Sequence, residues 1–126
     1  MFSHVTVGAS DLERSKVFYD KALGALNISI CLELDGALAY GELTGPKFFV
    51  VLPFNEQPTE RGNGWHAAFA APDRASVDRF HEAALANGGS DEGAPGLRTH
   101  YHPSYYAAYA RDPDGNKIQA VCHFPE

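Results

Sequence analysis

Apolar and polar residues alternate from Phe2 to Val7, the period of a half-buried strand. The spacing then lengthens. Leu12, Phe18, Tyr19, Ala22 and Leu23 fall on one face of a helix. Ser10-Asp11-Leu12-Glu13 opens that helix as a capping box and Gly24 is placed to close it. Three strands are expected next, at Ile28 to Leu34, Ala37 to Leu43 and Phe48 to Phe54. Asp35-Gly36 signals a hairpin between the first two, and Gly45-Pro46 breaks the chain before the third. The polar stretch Asn55 to Asn63, with Pro58 and Gly62, reads as a linker. The same order then restarts. Trp65 to Ala70 is a strand, and Asp73 caps a helix whose apolar side is Val77, Phe80, Ala84 and Leu85. Gly88-Gly89 stops it, and Ser90 to Ser104 reads as irregular. Tyr105 to Arg111 and Lys117 to Phe124 are the last strands, joined by the tight turn Asp112-Pro113-Asp114-Gly115.

This restart is a repeat. Sliding the chain on itself by 62 residues aligns His4 with His66, Ala9 with Ala71, Asp11 with Asp73, Phe18 with Phe80, Ala22 with Ala84 and Leu23 with Leu85. The plan is α+β, βαβββ twice, in a single domain over 1–126. Module one spans about 1–56, the linker about 55–63 and module two about 64–126. Strand alternation assigns the faces. Val5 and Val7 go under the helix, leaving Phe2, His4 and Thr6 on the other side; Trp65, Ala67 and Phe69 leave His66, Ala68 and Ala70. On the last strand Ile118, Ala120 and Cys122 go inward and leave Lys117, Gln119, Val121 and His123. A single strand histidine is ordinarily structural. Two at equivalent places of two pseudo-symmetric halves are expected to converge on a shared polar pocket.

Composition narrows the classes. The 126 residues carry a formal charge of -6, which argues against a nucleic-acid surface and against an anionic membrane. Cys31 and Cys122 are too few for a disulfide scaffold, and both sit in apolar runs where a thiol acts as a small hydrophobe. No secretory leader opens the chain and no apolar run approaches membrane-spanning length, so a cytoplasmic location is expected.

His4 followed by Ser10 to Tyr19, and Arg111-Asp112-Pro113-Asp114-Gly115-Asn116-Lys117-Ile118-Gln119, resemble the vicinal oxygen chelate superfamily. That superfamily includes glyoxalase I, extradiol dioxygenases, fosfomycin resistance proteins and bleomycin-binding proteins. The resemblance covers the whole chain. It implies a curved mixed sheet around a central cavity, a divalent metal (Zn, Ni, Fe or Mn) between the modules, and ligands from the first and last strand of each. His4 and His66 match the two first-strand positions, and Gln119 stands where module two usually has a glutamate. The fourth position would fall near Val51, in a run without a ligand. The implied metal set is therefore His4, His66 and Gln119. Thr6, Phe49, Val51, Ala68, Arg98, His102, Tyr105 and Tyr109 are candidates to line the substrate pocket. The dense segment around His100, Tyr101 and Tyr106 is either a loop closing on an anionic or aromatic substrate or an ordinary surface loop.

Three activities follow as expectations. The first is a glyoxalase-like lyase or isomerase acting on vicinal oxygens through the metal as Lewis acid. The second is a metal-free small-molecule binder of the bleomycin-resistance type, favoured by Phe49, Val51 and the missing carboxylate. The third is a non-haem iron dioxygenase, against which Gln119 counts because that chemistry uses two histidines and a carboxylate. The partners expected are a small-molecule ligand and a second copy in a homodimer, with no nucleic acid and no membrane.

Overall fold

A computed structural model describes all of residues 1–126. Module one runs β1 (His4–Gly8), α1 (Leu12–Gly24), β2 (Ile30–Leu34), β3 (Ala37–Gly41) and β4 (Lys47–Val51). Module two runs β5 (Ala67–Ala70), α2 (Arg74–Ala86), β6 (Ser90–Leu97), β7 (Tyr106–Arg111) and β8 (Lys117–Cys122). Each module is one four-stranded mixed sheet, in the orders β1-β4-β3-β2 and β5-β8-β7-β6. The first strand of each pairs parallel with the last, and the other pairs are antiparallel. The fold is the α+β pair of βαβββ modules expected from the repeat. No helix is long and apolar enough to cross a membrane.

The apolar sides of both sheets and both helices meet in one core. Val7, Phe18, Tyr19, Leu23, Phe48 and Val50 from module one join Val77, Phe80, Ala84, Ile118 and Ala120 from module two. Phe48 and Phe69 touch edge to face across the modules, with centroids 5.0 Å apart. Alternation holds: His4 and Thr6 are exposed while Val7 is buried, and Ala68 and Ala70 are exposed while Ala67 is buried. Cys31 is half-buried and Cys122 buried, and both thiols are free.

Local chemistry departs from the sequence reading in four places. The N-cap of α1 is Asp11, not Ser10: its carboxylate accepts from the Arg14 N–H. Ser10 turns instead to Asp114, a charged and therefore stronger acceptor. The left-handed residue after α1 is Asn27 (φ 62), with the Ile28 N–H reaching back to the Leu23 carbonyl, so Gly24 stays in the helix. Leu85 is exposed although its partner in the repeat, Leu23, is fully buried. Ser90–Leu97, expected to be irregular, is a strand. Its pairing with β7 slips on both sides of Gly93, which sits at φ 157 where its amide meets the Asp91 carboxylate.

The modules are clamped by the Asp112 turn. The Asp112 carboxylate accepts four hydrogen bonds, from the Tyr19 hydroxyl (2.6 Å), the Asn116 side-chain amide (2.8 Å) and the backbone N–H groups of Asp114 and Asn116 (2.9 Å each). Asn116 also donates to the Gly8 carbonyl, and Asp114 holds Ser10 and Arg14. Burial lifts the Asp112 carboxyl above its ordinary range, against the opposing pull of those donors. The segment Arg111 to Lys117 thus joins module two to the β1–α1 corner of module one. Gly89 closes the other side: a Cβ there would stand 2.6 Å from both the Arg111 carbonyl and Phe18, so no larger residue fits without backbone movement.

Candidate functional site

His4 opens β1 and His66 immediately precedes β5, so each stands at the start of its module. Both line one cavity of about 790 Å³ that runs between the free edges of these strands, with Phe2, Lys47, Ala68 and Phe69 among its walls. The repeat therefore brings the two histidines to one groove. Their immediate partners differ. His4 receives the Ser3 hydroxyl at 2.9 Å and the edge of Phe49 at 5.1 Å. His66 Nε2 meets Gln119 Oε1 at 3.1 Å, and its ring lies 6.0 Å from that of Tyr109.

Strand register shows why. The N–H groups of Ala9 and Ala71, equivalent in the repeat, donate to the carbonyls of Val51 and Val121 at 2.8 Å each. Those valines are therefore equivalent. Two residues back, Phe49 beside Thr6 answers to Gln119 beside Ala68. The fourth family position is Phe49 rather than Val51, which pairs with Gly8 at the strand's end. The sequence reading placed it two residues too far along, and the parallel register of β1 with β4 corrects it. An apolar ring stands where module one would need a ligand.

These positions can be tested for a metal. Two ligands at roughly 2.0–2.2 Å from one ion stand about 3 Å apart at a right angle. His66 Nε2 and Gln119 Oε1, at 3.1 Å, satisfy that spacing. The rest of the set falls short: Phe49 cannot ligate, Gln119 is neutral, and nowhere do three His, Cys, Asp or Glu side chains converge. The residues present do not form a complete metal centre, and the arrangement already satisfies itself. Gln119, 1 % exposed, donates its amide to the Tyr105 hydroxyl at 2.6 Å.

A second, smaller cavity of about 280 Å³ opens on the free face of the second sheet. Arg98 and Tyr109 line it, together with His66, His100 and Tyr101. Lys117 and Glu92 complete it, and neither was singled out from the sequence. Lys117 shares the strand parity of Gln119, which was the available signal. Burial, reinforced by Tyr105 and Tyr101, pushes the Tyr109 hydroxyl up to about 12, so it stays a neutral donor. Ala68 lines the larger groove, whereas Thr6, Phe49 and Val51 line neither cavity. His102 and Tyr105 line neither cavity. His102 bonds His123 at 2.9 Å, and both rings pack edge-on against Tyr105.

Two βαβββ modules with paired first-strand histidines over a groove define a small-molecule-binding fold of duplicated modules. The chain belongs to the Glyoxalase/Bleomycin resistance protein/Dioxygenase superfamily, whose profile matches residues 1–120. It is similar to a glyoxalase/bleomycin resistance protein from Albidiferax ferrireducens T118, with 45% identity over 97% of this chain and 98% of that one and a TM-score of 0.90. A glyoxalase-related enzyme from Fulvimarina pelagi shares the fold at 22% identity, covering 97% and 87% of the two chains, with a TM-score of 0.74. So does a lactoylglutathione lyase from Agrobacterium tumefaciens at 21% identity, covering 97% and 92%, with a TM-score of 0.65. No curated protein matches the chain.

Proposed function

We propose that the chain binds a small molecule in the cavity lined by His66, Arg98 and Tyr109, without a protein-bound metal. The observation that carries this reading is the hydrogen-bonded chain His66–Gln119–Tyr105 in module two, with Phe49 at the place in module one equivalent to Gln119. Such a site offers fixed hydrogen-bonding groups in an aromatic-lined cavity, the usual make-up of a ligand site. The 3.1 Å spacing of His66 and Gln119 favours a second reading. In that reading Zn, Ni, Fe or Mn is held by His4, His66 and Gln119 and supports lyase or isomerase chemistry. Metal content separates the two. Protein made without a histidine tag is expected to carry less than a tenth of an equivalent of any divalent metal, and to take up none at micromolar concentrations. Stoichiometric metal that disappears in both His4→Ala and His66→Ala establishes the second reading.

The free edges of β1 and β5 border the larger groove, beside exposed Phe2 and Trp65. Unpaired edges invite pairing with another chain. A second copy is the partner we propose for them. Sedimentation is expected to give a dimer, and a lysine at Thr6, on β1, is expected to shift it toward monomer; a monomer at every concentration rejects the pairing.

A further inference from the structure

Two cations on the smaller cavity make no ion pair of their own. The Arg98 guanidinium donates only to the carbonyls of Gly96 (2.8 Å) and Ala94 (2.9 Å), and Lys117 makes no ion pair. Glu92, the one carboxylate lining the cavity, is bound by Arg111, whose contact holds it below the usual carboxylate range. Both cations converge on one ring: Arg98 lies 5.6 Å and Lys117 5.1 Å from the Tyr109 centroid. Lys117 and Arg111 both act on Glu92 while Arg98 has no carboxylate partner, so cations outnumber carboxylates around this cavity in a chain of net charge -6.

The third group around Tyr109 is His66, at 6.0 Å. Its tautomer follows from its neighbours. Gln119 gives its N–H to the Tyr105 hydroxyl, so it presents its carbonyl oxygen to His66. His66 Nε2 must then carry the hydrogen in the neutral ring. Nδ1 is left with a lone pair and no protein partner, on a ring that lines the cavity. One side of the cavity therefore accepts a hydrogen bond while the other attracts an anion.

We propose that this cavity binds a compact planar carboxylate carrying a hydrogen-bond donor next to its charged group, with Arg98 and Lys117 on the carboxylate, Tyr109 and Tyr101 against the ring and His66 Nδ1 on the donor. This rests on the metal-free reading of the same cavity and adds the class of ligand. A guanidinium gives a carboxylate two parallel hydrogen bonds, which a neutral isostere cannot match. The volume of about 280 Å³ lies at the small end of ligand cavities and limits the occupant to about one ring.

The test is a titration of chelator-treated protein, followed by NMR chemical shifts, with pyrrole-2-carboxylate, furan-2-carboxylate and pyrrole-2-carboxamide. The pyrrole carboxylate is expected to bind with shifts at Tyr109, Arg98 and His66. The furan carboxylate, which lacks the N–H, should bind about fivefold more weakly, the scale of one hydrogen bond, and the neutral amide at least about tenfold more weakly. Arg98→Gln and Lys117→Gln should each weaken the pyrrole carboxylate about tenfold. His66→Phe should remove the advantage of the pyrrole carboxylate over the furan carboxylate. The amide spectrum of each variant reports that the fold is intact. Equal affinity for the amide and the carboxylate, or undiminished affinity in both glutamine variants, overturns the proposal. Binding that appears only when Zn is added, yet still weakens in the glutamine variants, overturns the metal-free reading and keeps the carboxylate class.

Discussion

Replacing Asp112 by alanine is expected to destabilise the chain by about 3–5 kcal/mol, the cost of stripping a buried charged group from its partners. The melting temperature should fall by about 10 °C or more. Four donors converge on that carboxylate, and two are left in or near the core with no acceptor, the Tyr19 hydroxyl and the Asn116 N–H, while the Asn116 amide keeps only the Gly8 carbonyl. Tyr19 is fully buried, so water cannot replace the lost partner without opening the core. Asparagine should not rescue. It has one acceptor oxygen instead of two, and its own amide would point N–H groups at the Asn116 amide or at the turn's backbone donors. Because Asp112 bonds both modules, unfolding should remain one transition rather than splitting into two. Thermal denaturation followed by far-ultraviolet and by tyrosine signals checks this. A loss of under about 1 kcal/mol in the alanine variant would show that the turn does not join the modules.

The pH dependence has a definite sign. The Asp112 carboxyl is raised in the folded state, chiefly by burial. A raised group contributes stability that is complete below the ordinary carboxylate range and is lost as pH rises through its folded value. The donors oppose burial, so removing one of them, as in Tyr19→Phe, should raise the Asp112 carboxyl further.

The sequence made the faces of the strands legible because alternation is a local property. His4, Thr6 and Ala68 came out exposed and Val7, Ala67 and Ile118 buried because one residue of register decides the face. The cap of α2 was legible at Asp73, which accepts from the Ser76 N–H, whereas the cap of α1 is Asp11, its partner in the repeat, and not the Ser10 that the capping pattern marked. What was not legible depends on partners far along the chain. Ser10 matched a capping pattern, but the better acceptor for it was Asp114, in the other module. β6 carries three residues that usually break strands, Gly93, Pro95 and Gly96, and only its pairing with β7 makes it a strand. The equivalence of Phe49 with Gln119 needed the parallel registers β1–β4 and β5–β8, because the offset between equivalent residues is 62 at the first strands (His4 and His66) but 70 at the last (Phe49 and Gln119). Lys117 has the same origin. Its parity was visible, but the meeting of Lys117 with Arg98 over Tyr109 requires β6, β7 and β8 side by side.

Restoring a carboxylate at position 119 is the sharpest way to ask what withholds a metal. In Gln119→Glu the side chain keeps its length, and the Tyr105 hydroxyl can turn from accepting to donating, so the buried position remains satisfied. The new oxygen stands where Oε1 now lies, 3.1 Å from His66 Nε2, but with a negative charge that a divalent ion prefers over a neutral amide. Affinity for Zn or Ni is expected to rise by about two orders of magnitude, the scale on which single groups around a metal act. Calorimetry on chelator-treated protein measures it. His66→Ala in the same background should erase the gain. His4→Ala should erase part of it only if the groove that both histidines line brings His4 to the same ion. Phe49→Glu added to Gln119→Glu should strengthen binding further, because Phe49 holds the equivalent place beside Thr6. If Gln119→Glu leaves metal uptake unchanged, the two first-strand histidines do not converge tightly enough to share an ion, and the groove between β1 and β5 serves ligands by hydrogen bonds and aromatic contact alone.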